Sequence, residues 1–134
     1  MTPEEIGKNP SEHMQQAALF AWAALSVGKY PMLKWMHAIP NGGARGNDAR
    51  TCAIRGGSMK AEGVKPGVSD IFLPCAKHGT HGLYIEMKKK DGKPSKEQLD
   101  FKKDMQLAGY GVCICYSWTE ARNVIIEYLS ANLF

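Results

Sequence analysis

No stretch of this sequence is apolar for long enough to cross a membrane. The longest run near the N-terminus, residues 17–27, is about half a span and begins only after charged and polar residues. Neither a transmembrane helix nor a secretory signal is expected, and the chain is expected to be cytoplasmic. A disulfide framework is missing: the four cysteines, Cys52, Cys75, Cys113 and Cys115, show no paired spacing. Cys113 and Cys115 fall on one strand face, too close in sequence for an easy disulfide, which favours reduced, buried thiols in a reducing compartment. Internal repeats, coiled-coil heptads and low-complexity segments are missing too, which sets aside solenoid and coiled-coil classes. Charge is only mildly unbalanced, at +4 over 134 residues with 44% apolar content. That suits one ordinary domain spanning residues 1–134, long enough for a core of its own.

The chemistry-bearing side chains gather in residues 66–90, PGVSDIFLPCAKHGTHGLYIEMKKK. Residues 68–73 and 83–87 are short apolar runs rich in strand formers. A polar, glycine-containing segment between them can turn back, so a β-hairpin is predicted. With the turn near His78 and Gly79, index symmetry sets Asp70 opposite Glu86. Glu86 and Lys88, two apart, share one strand face while Met87 points the other way. Two carboxylates and an amine then meet on one patch.

Two carboxylates a few ångströms apart repel unless a proton or cation lies between them. Hard oxygen ligands with water in the remaining positions suit Mg²⁺ or Mn²⁺. A metal there polarises a phosphodiester and lowers the pKa of a bound water, while a neighbouring lysine positions that water and offsets charge in the transition state. This is the arrangement of a metal-dependent nuclease. On these three residues alone a plainer alternative stands beside it, because so short a pattern recurs by chance. Asp70 would then end a turn, and Glu86 and Lys88 would form an exposed cross-strand face.

A longer set of residues resembles a known family. Gly67-Val68-Ser69-Asp70, Ile85-Glu86-Met87-Lys88, Ser95 with Gln98, and Gly109-Tyr110 before an apolar strand resemble the VRR-NUC family of the PD-(D/E)XK nuclease superfamily. Asn41-Gly42-Gly43 and residues 63–67 are similar to it as well, so the likeness covers nearly all of the chain. Ser69 stands where the superfamily's name has proline. The resemblance implies an α/β fold with an α/β/α restriction-endonuclease-like core and a central mixed β-sheet. It also implies a Mg²⁺- or Mn²⁺-dependent DNA endonuclease, often selective for branched structures. Asp70 and Glu86 would bind the metal, with the Met87 carbonyl a further ligand and Lys88 orienting the attacking water. Standalone members resemble junction resolvases, which make paired cuts and therefore need two active sites, most simply in a C2 homodimer. Branched DNA, and the four-way (Holliday) junction in particular, is the expected substrate. Flap, nicked or plain duplex DNA remain alternatives. No nucleotide cofactor is expected, and no recognition helix or zinc finger stands out to read a base sequence, so shape should count for more than sequence.

The rest of the chain supplies support. Pro10-Ser11 starts a helix in which Met14, Ala17, Ala18, Ala21 and Leu25 recur at helical spacing until Gly28. Glu12, Gln15 and Gln16 lie on its other edge. The resemblance places an acidic residue of this helix over the metal, and Glu12 matches; a first-turn glutamate favoured by the helix dipole would look the same. Residues 33–39 are predicted to be a strand, broken at Pro40-Asn41-Gly42-Gly43. Asn41 is either a turn residue or, as the resemblance suggests, a hydrogen-bonding group near the scissile phosphate. His37 is read as a packed strand residue rather than a catalyst.

Residues 44–65 are glycine-rich and basic. Arg45, Arg50, Arg55, Lys60 and Lys65 stand against Asp48 and Glu62 alone, a local excess of three positive charges. A solvated basic face would account for this, but beside a phosphodiesterase site these side chains, with Lys89 and Lys90, are natural phosphate contacts. Asn47 is placed to cap a short helix through Ile54, and residues 59–62 to make another turn. Ser95-Lys96-Glu97-Gln98 is a capping box, so Gln98 either caps its own helix or reaches back to the site. Ala108-Gly109 ends that helix. Residues 110–116 form a continuous apolar strand of the kind found inside sheets. A second capping box, Ser117 to Glu120, opens a closing helix with Ala121, Val124, Ile125, Tyr128 and Leu129 on one side. Two rivals come from other classes: a DNA-binding module without catalysis, and a zinc site built from Cys75, His78 and His81, for which no fourth ligand is evident.

Overall fold

The computed structural model describes residues 11–40 and 61–130. Helix α1 spans Glu12–Ser26, and Ser11 caps it by accepting the Met14 N–H at 3.1 Å. Its buried side chains are Gln15, Ala18, Leu19 and Ala23. The predicted stripe is therefore rotated: Ala17 and Ala21 are exposed and Leu25 is 89% exposed, so the edge carrying Gln15 faces inward. Gln15 enters the core because its Oε1 accepts the Trp118 N–H at 2.7 Å, satisfying an orphan donor at the start of the last helix.

The predicted strand over residues 33–39 is mostly something else. Pro31 opens a 3₁₀ turn, Pro31–Trp35, whose Leu33 is buried, and Met36, the residue that caps it, is buried three positions on. Only β1, His37–Ala38, is strand. His37 is exposed, its Nδ1 lying 2.9 Å from the Trp35 carbonyl and its ring edge on Phe72, rather than packed in the core.

Strands β2 (Ile71–Leu73) and β3 (Leu83–Met87) form the predicted hairpin. Strand β2 is shorter than expected, since Val68, Ser69 and Asp70 itself lie outside it. The tip has positive φ at both His78 (53°) and Gly79 (77°), closed by Thr80 N–H donating to the Lys77 carbonyl at 2.8 Å, as a type I′ turn requires. Symmetry about the midpoint of that tip sets Asp70 opposite Met87 and not opposite Glu86, so the pairing expected from the sequence needs one residue to be taken up elsewhere. A tight turn at Pro74, closed by Cys75 N–H on the Leu73 carbonyl at 2.9 Å, takes up one extra residue. The ladder accordingly pairs Ile71 with Ile85, and Asp70, just before the strand, comes beside Glu86 where the ladder ends.

Helix α2 (Lys96–Leu107), β4 (Gly111–Cys115) and helix α3 (Trp118–Ser130) complete the described chain. The sheet order is β1-β2-β3-β4, antiparallel except for the parallel pair β3-β4. Ile71, Leu73, Leu83, Ile85, Met87 and Cys115 point to one face, where Leu19 and Ala23 of α1 and Ala121, Ile125 and Tyr128 of α3 close the main core. Helix α2 covers the opposite face, with Phe101 edge-on to Tyr84 at 5.1 Å and Tyr84 against Phe72 at 4.5 Å. The result is helices on both faces of a mixed sheet, as predicted. One expectation fails here. Strand β4 is the sheet edge among the described residues and is half-buried over its first four positions, so its apolar run does not mark a sheet interior. No described helix is long and apolar enough to cross a membrane.

Candidate active site

The hairpin brings Asp70 and Glu86 together at its open end, on the face that α2 covers. Asp70 is held from both sides. Its backbone carbonyl accepts the Ile39 N–H at 2.7 Å, and its Oδ2 accepts the Met87 N–H at 2.8 Å. That second bond replaces a ladder bond, which explains why β2 begins only at Ile71: the aspartate side chain takes the donor that another backbone carbonyl would have taken. Because the N–H and C=O of a strand residue point to the same side, the Met87 carbonyl is also directed towards Asp70. The Met87 side chain is fully buried on the other face. Lys88 continues the parallel ladder by donating its N–H to the Cys115 carbonyl at 2.8 Å, which keeps its half-buried side chain on the Glu86 side.

Gln98 resolves the two alternatives by doing both jobs. Its Oε1 accepts the Ser95 N–H at 2.8 Å and its own N–H donates to Ser95 Oγ at 3.1 Å, the complete capping box. Its Nε2 then donates to Glu86 Oε1 at 2.6 Å. The loop before Asp70 lies directly on this turn. Gly67 has φ +89°, and a β-carbon there would stand 2.5 Å from the Glu97 carbonyl oxygen, so only glycine lets α2 settle this close to the carboxylates.

Glu86 is 3% exposed and Asp70 6%. Burial, and then the neighbouring Asp70 carboxylate, push the Glu86 carboxyl up to about 8, while Lys88 pulls the other way. One oxygen is held by Gln98, and Glu86 Oε2, buried against Asp70, has no hydrogen-bond donor among the described residues. An orphan carboxylate oxygen beside a second carboxylate is costly unless a proton or cation satisfies it. Two carboxylates with room left for water and phosphate oxygens form the donor set that Mg²⁺ or Mn²⁺ takes. The residues therefore fit such an ion.

Glu12 is not drawn into this pair. Among the described residues no group of three or more His, Cys, Asp or Glu is placed to hold a metal. Glu12 is exposed in the first turn of α1, where it lines a cleft of about 570 Å³ with Ser11, His13 and Lys89. Lys65, Lys89 and Lys90 are exposed. Asn41, Arg45, Arg50, Arg55 and Lys60, and the short helix anticipated from Asn47, lie outside the described residues.

The zinc alternative has its ligands spent elsewhere. His78 Nε2 lies 2.8 Å from the Tyr128 carbonyl, His81 packs its ring on Tyr110 at 5.4 Å, and Cys75 is buried beneath Tyr128, whose hydroxyl donates to the Cys75 carbonyl at 2.6 Å. Sequence reasoning gave no role to Gln15 or to the docking of Gly67 on α2. A polar residue at a position whose helical neighbours are apolar was the available signal for the first, and Pro66-Gly67 one turn of chain before Asp70 for the second.

No family model and no curated protein matches the sequence. Among solved structures the chain is similar to a VRR_NUC domain protein, with a TM-score of 0.69 at 22% identity, covering 90% of this chain and 89% of that one. At that identity the two share a fold. The chain thus has the VRR-NUC fold, a restriction-endonuclease-like α/β arrangement.

Proposed function

We propose that this chain is a Mg²⁺- or Mn²⁺-dependent DNA endonuclease that hydrolyses phosphodiester bonds in branched DNA, most specifically the four-way junction, as a homodimer. The observation that carries this is the Asp70–Glu86 pair, two carboxyls buried side by side. Further support comes from the fold shared with a VRR_NUC domain protein.

Asp70, Glu86 and the Met87 carbonyl would hold the ion, with Glu12 the nearby acidic residue of α1 that would serve a second ion. When bound, the ion supplies charge neutralisation at the phosphate and a more acidic attacking water. Gln98 fixes Glu86 through Oε1 so that Oε2 stays turned to the site. Lys88 orients the water, helps to take its proton and offsets charge on the phosphate oxygens. Attack in line leaves a 5′-phosphate and a 3′-hydroxyl. Lys65, Lys89 and Lys90, with Asn41, Arg45, Arg50, Arg55 and Lys60, bind the phosphate backbone, which makes binding fall steeply with salt.

The test is cleavage of a labelled four-way junction, a flap, a splayed arm and linear duplex in Mg²⁺, Mn²⁺ or EDTA, comparing wild type with Lys88→Ala and Asp70→Asn. Paired, metal-dependent nicks in the junction that both substitutions abolish are expected. Equal cutting of every substrate would remove junction selectivity. Binding without any cutting would leave a DNA-binding module in place of an enzyme.

A further inference from the structure

We propose that the turn joining α1 to β1 is a second nucleic-acid contact, which binds unpaired nucleotides of single-stranded DNA through Trp35 and a neighbouring cavity edged by lysines. The contact deepens the nuclease reading and rests on it for its purpose, although its test does not involve cleavage.

Residues 29–35 read KYPMLKW, so each lysine stands directly before an aromatic residue. Lys29 Nζ lies 5.5 Å from the centre of the Tyr30 ring, and Lys34 Nζ lies 5.1 Å from that of Trp35. At three residues per turn, the 3₁₀ geometry opened by Pro31 sorts the side chains that follow into rows. Leu33, and Met36 after it, go to the core at 4% and 6% exposure. Met32 and Trp35 stand together on the outside, at 36% and 58%. An indole is among the largest apolar surfaces a residue can leave in water, and one left there beside a buried row points to a ligand that covers it.

Met32 also lines a cavity of about 190 Å³, with Lys29, Tyr30, Cys75, Lys77 and Leu129. It is smaller than the roughly 300–1,000 Å³ of sites for drug-sized ligands, and suits a single flat ring. The charged groups lining it are both lysines. Residues 13–47 and 71–85, which supply the turn and the hairpin tip, contain no aspartate or glutamate. Three lysines with no carboxylate in that lining favour a polyanion over an apolar protein partner. Stacking surfaces interleaved with ammonium groups match an unpaired strand, in which every base offers a flat face and every link a charge. Bases inside a duplex have no face to offer.

The contact is continuous with the candidate active site. From Trp35 the chain enters β1, and Ile39 donates its N–H to the Asp70 carbonyl at 2.7 Å. Four residues span at most about 14 Å, which is roughly four nucleotides of a stacked strand at about 3.4 Å each. A strand opened at a branch point carries unpaired nucleotides beside the bond to be cut, so the contact would favour branched over continuous duplex DNA.

The test is titration of a labelled oligothymidylate with the full chain in EDTA, read by anisotropy and by tryptophan fluorescence, beside the same titration of blunt duplex. The oligonucleotide should quench the wild type, and the quenching should disappear in Trp35→Ala although Trp22 and Trp118 remain. That variant should bind oligothymidylate about 5- to 100-fold more weakly, the loss of one stacked base, and duplex within about twofold of wild type. Lys29→Ala with Lys77→Ala should flatten the salt dependence of oligothymidylate binding by a slope of about 1.4. Should Trp35→Ala lose its circular dichroism, the paired lysine variant decides. Equal affinity of wild type and variants for the oligonucleotide would overturn the inference, as would equal losses on oligonucleotide and duplex. A wild type whose fluorescence no oligonucleotide changes would overturn it too and leave the patch to a protein partner. A chain that shows the expected effects yet cuts nothing keeps the contact and loses the nuclease; one that cuts junctions and shows none of them does the reverse.

Discussion

Glu86 gives the protein a stability profile that most small domains lack. Its carboxyl titrates near 8 in the fold and near 4.5 in a free chain. Between those values the folded protein carries one more proton than the unfolded chain, so stability falls as pH rises, by about 1.4 kcal/mol per unit. The favourable contribution is complete below about pH 4.5 and gone above about 8. From pH 5 to pH 8 the loss is ~4 kcal/mol, on the order of 10 °C in melting temperature for a chain of this size. Glu86→Gln removes the titration and keeps the shape of the side chain. In EDTA, thermal melts of the wild type should decline across that window relative to Glu86→Gln, with the two curves closest at the acid end. A divalent ion should restore the wild type most at pH 8, because it takes the place of the proton, and should do little for Glu86→Gln. Parallel wild-type and variant profiles from pH 5 to 8 would refute the idea that burial beside Asp70 controls this carboxyl.

Three further outcomes follow from named contacts. Gly67→Ala should force α2 away from the hairpin, since its β-carbon would lie 2.5 Å from the Glu97 oxygen, and should cost about 2–3 kcal/mol in denaturant melts while weakening Mn²⁺ binding. Unchanged metal affinity in that variant would separate the loop from the site. Gln98→Ala loses a cap and the bond to Glu86 together and should cost about 1–2 kcal/mol, with cleavage falling more than binding of DNA. Gln15→Leu leaves the Trp118 N–H unsatisfied and should cost about 1–3 kcal/mol with no change in cleavage per folded molecule, measured by urea unfolding beside a nuclease assay.

Much of this architecture was legible because local chemistry and tertiary structure agree. Ser11, Ser95 and Ser117 each cap the helix they announce. The hairpin register was legible too, though the tip alone would have misplaced it by one residue; the turn at Pro74 corrects the count. What was not legible depended on partners distant in sequence. The buried edge of α1 turns on Gln15, whose hydrogen-bond partner lies 103 residues away. Residues 33–39 have strand composition, but Pro31 fixes the first backbone angle and sets a 3₁₀ turn going. An apolar strand such as β4 looks alike at the centre and at the edge of a sheet, because composition reports cover on its faces rather than a neighbour at its side. Gln98 looked like a choice between two functions because sequence shows one side chain, whereas its two polar atoms serve different neighbours.

The hairpin is pinned at its tip as well as at its mouth. His78 meets the Tyr128 carbonyl, and Thr80 and Cys75 share the Tyr128 hydroxyl, so the turn is bolted to the last helix. Mechanically, β2 and β3 form a beam clamped at both ends, stiff where a cantilevered loop would be compliant. Displacement of α3 is then transmitted along the beam to Asp70 and Glu86 instead of being absorbed at the turn, and the alignment of the two carboxylates is tied to the seating of a helix on the opposite face of the sheet.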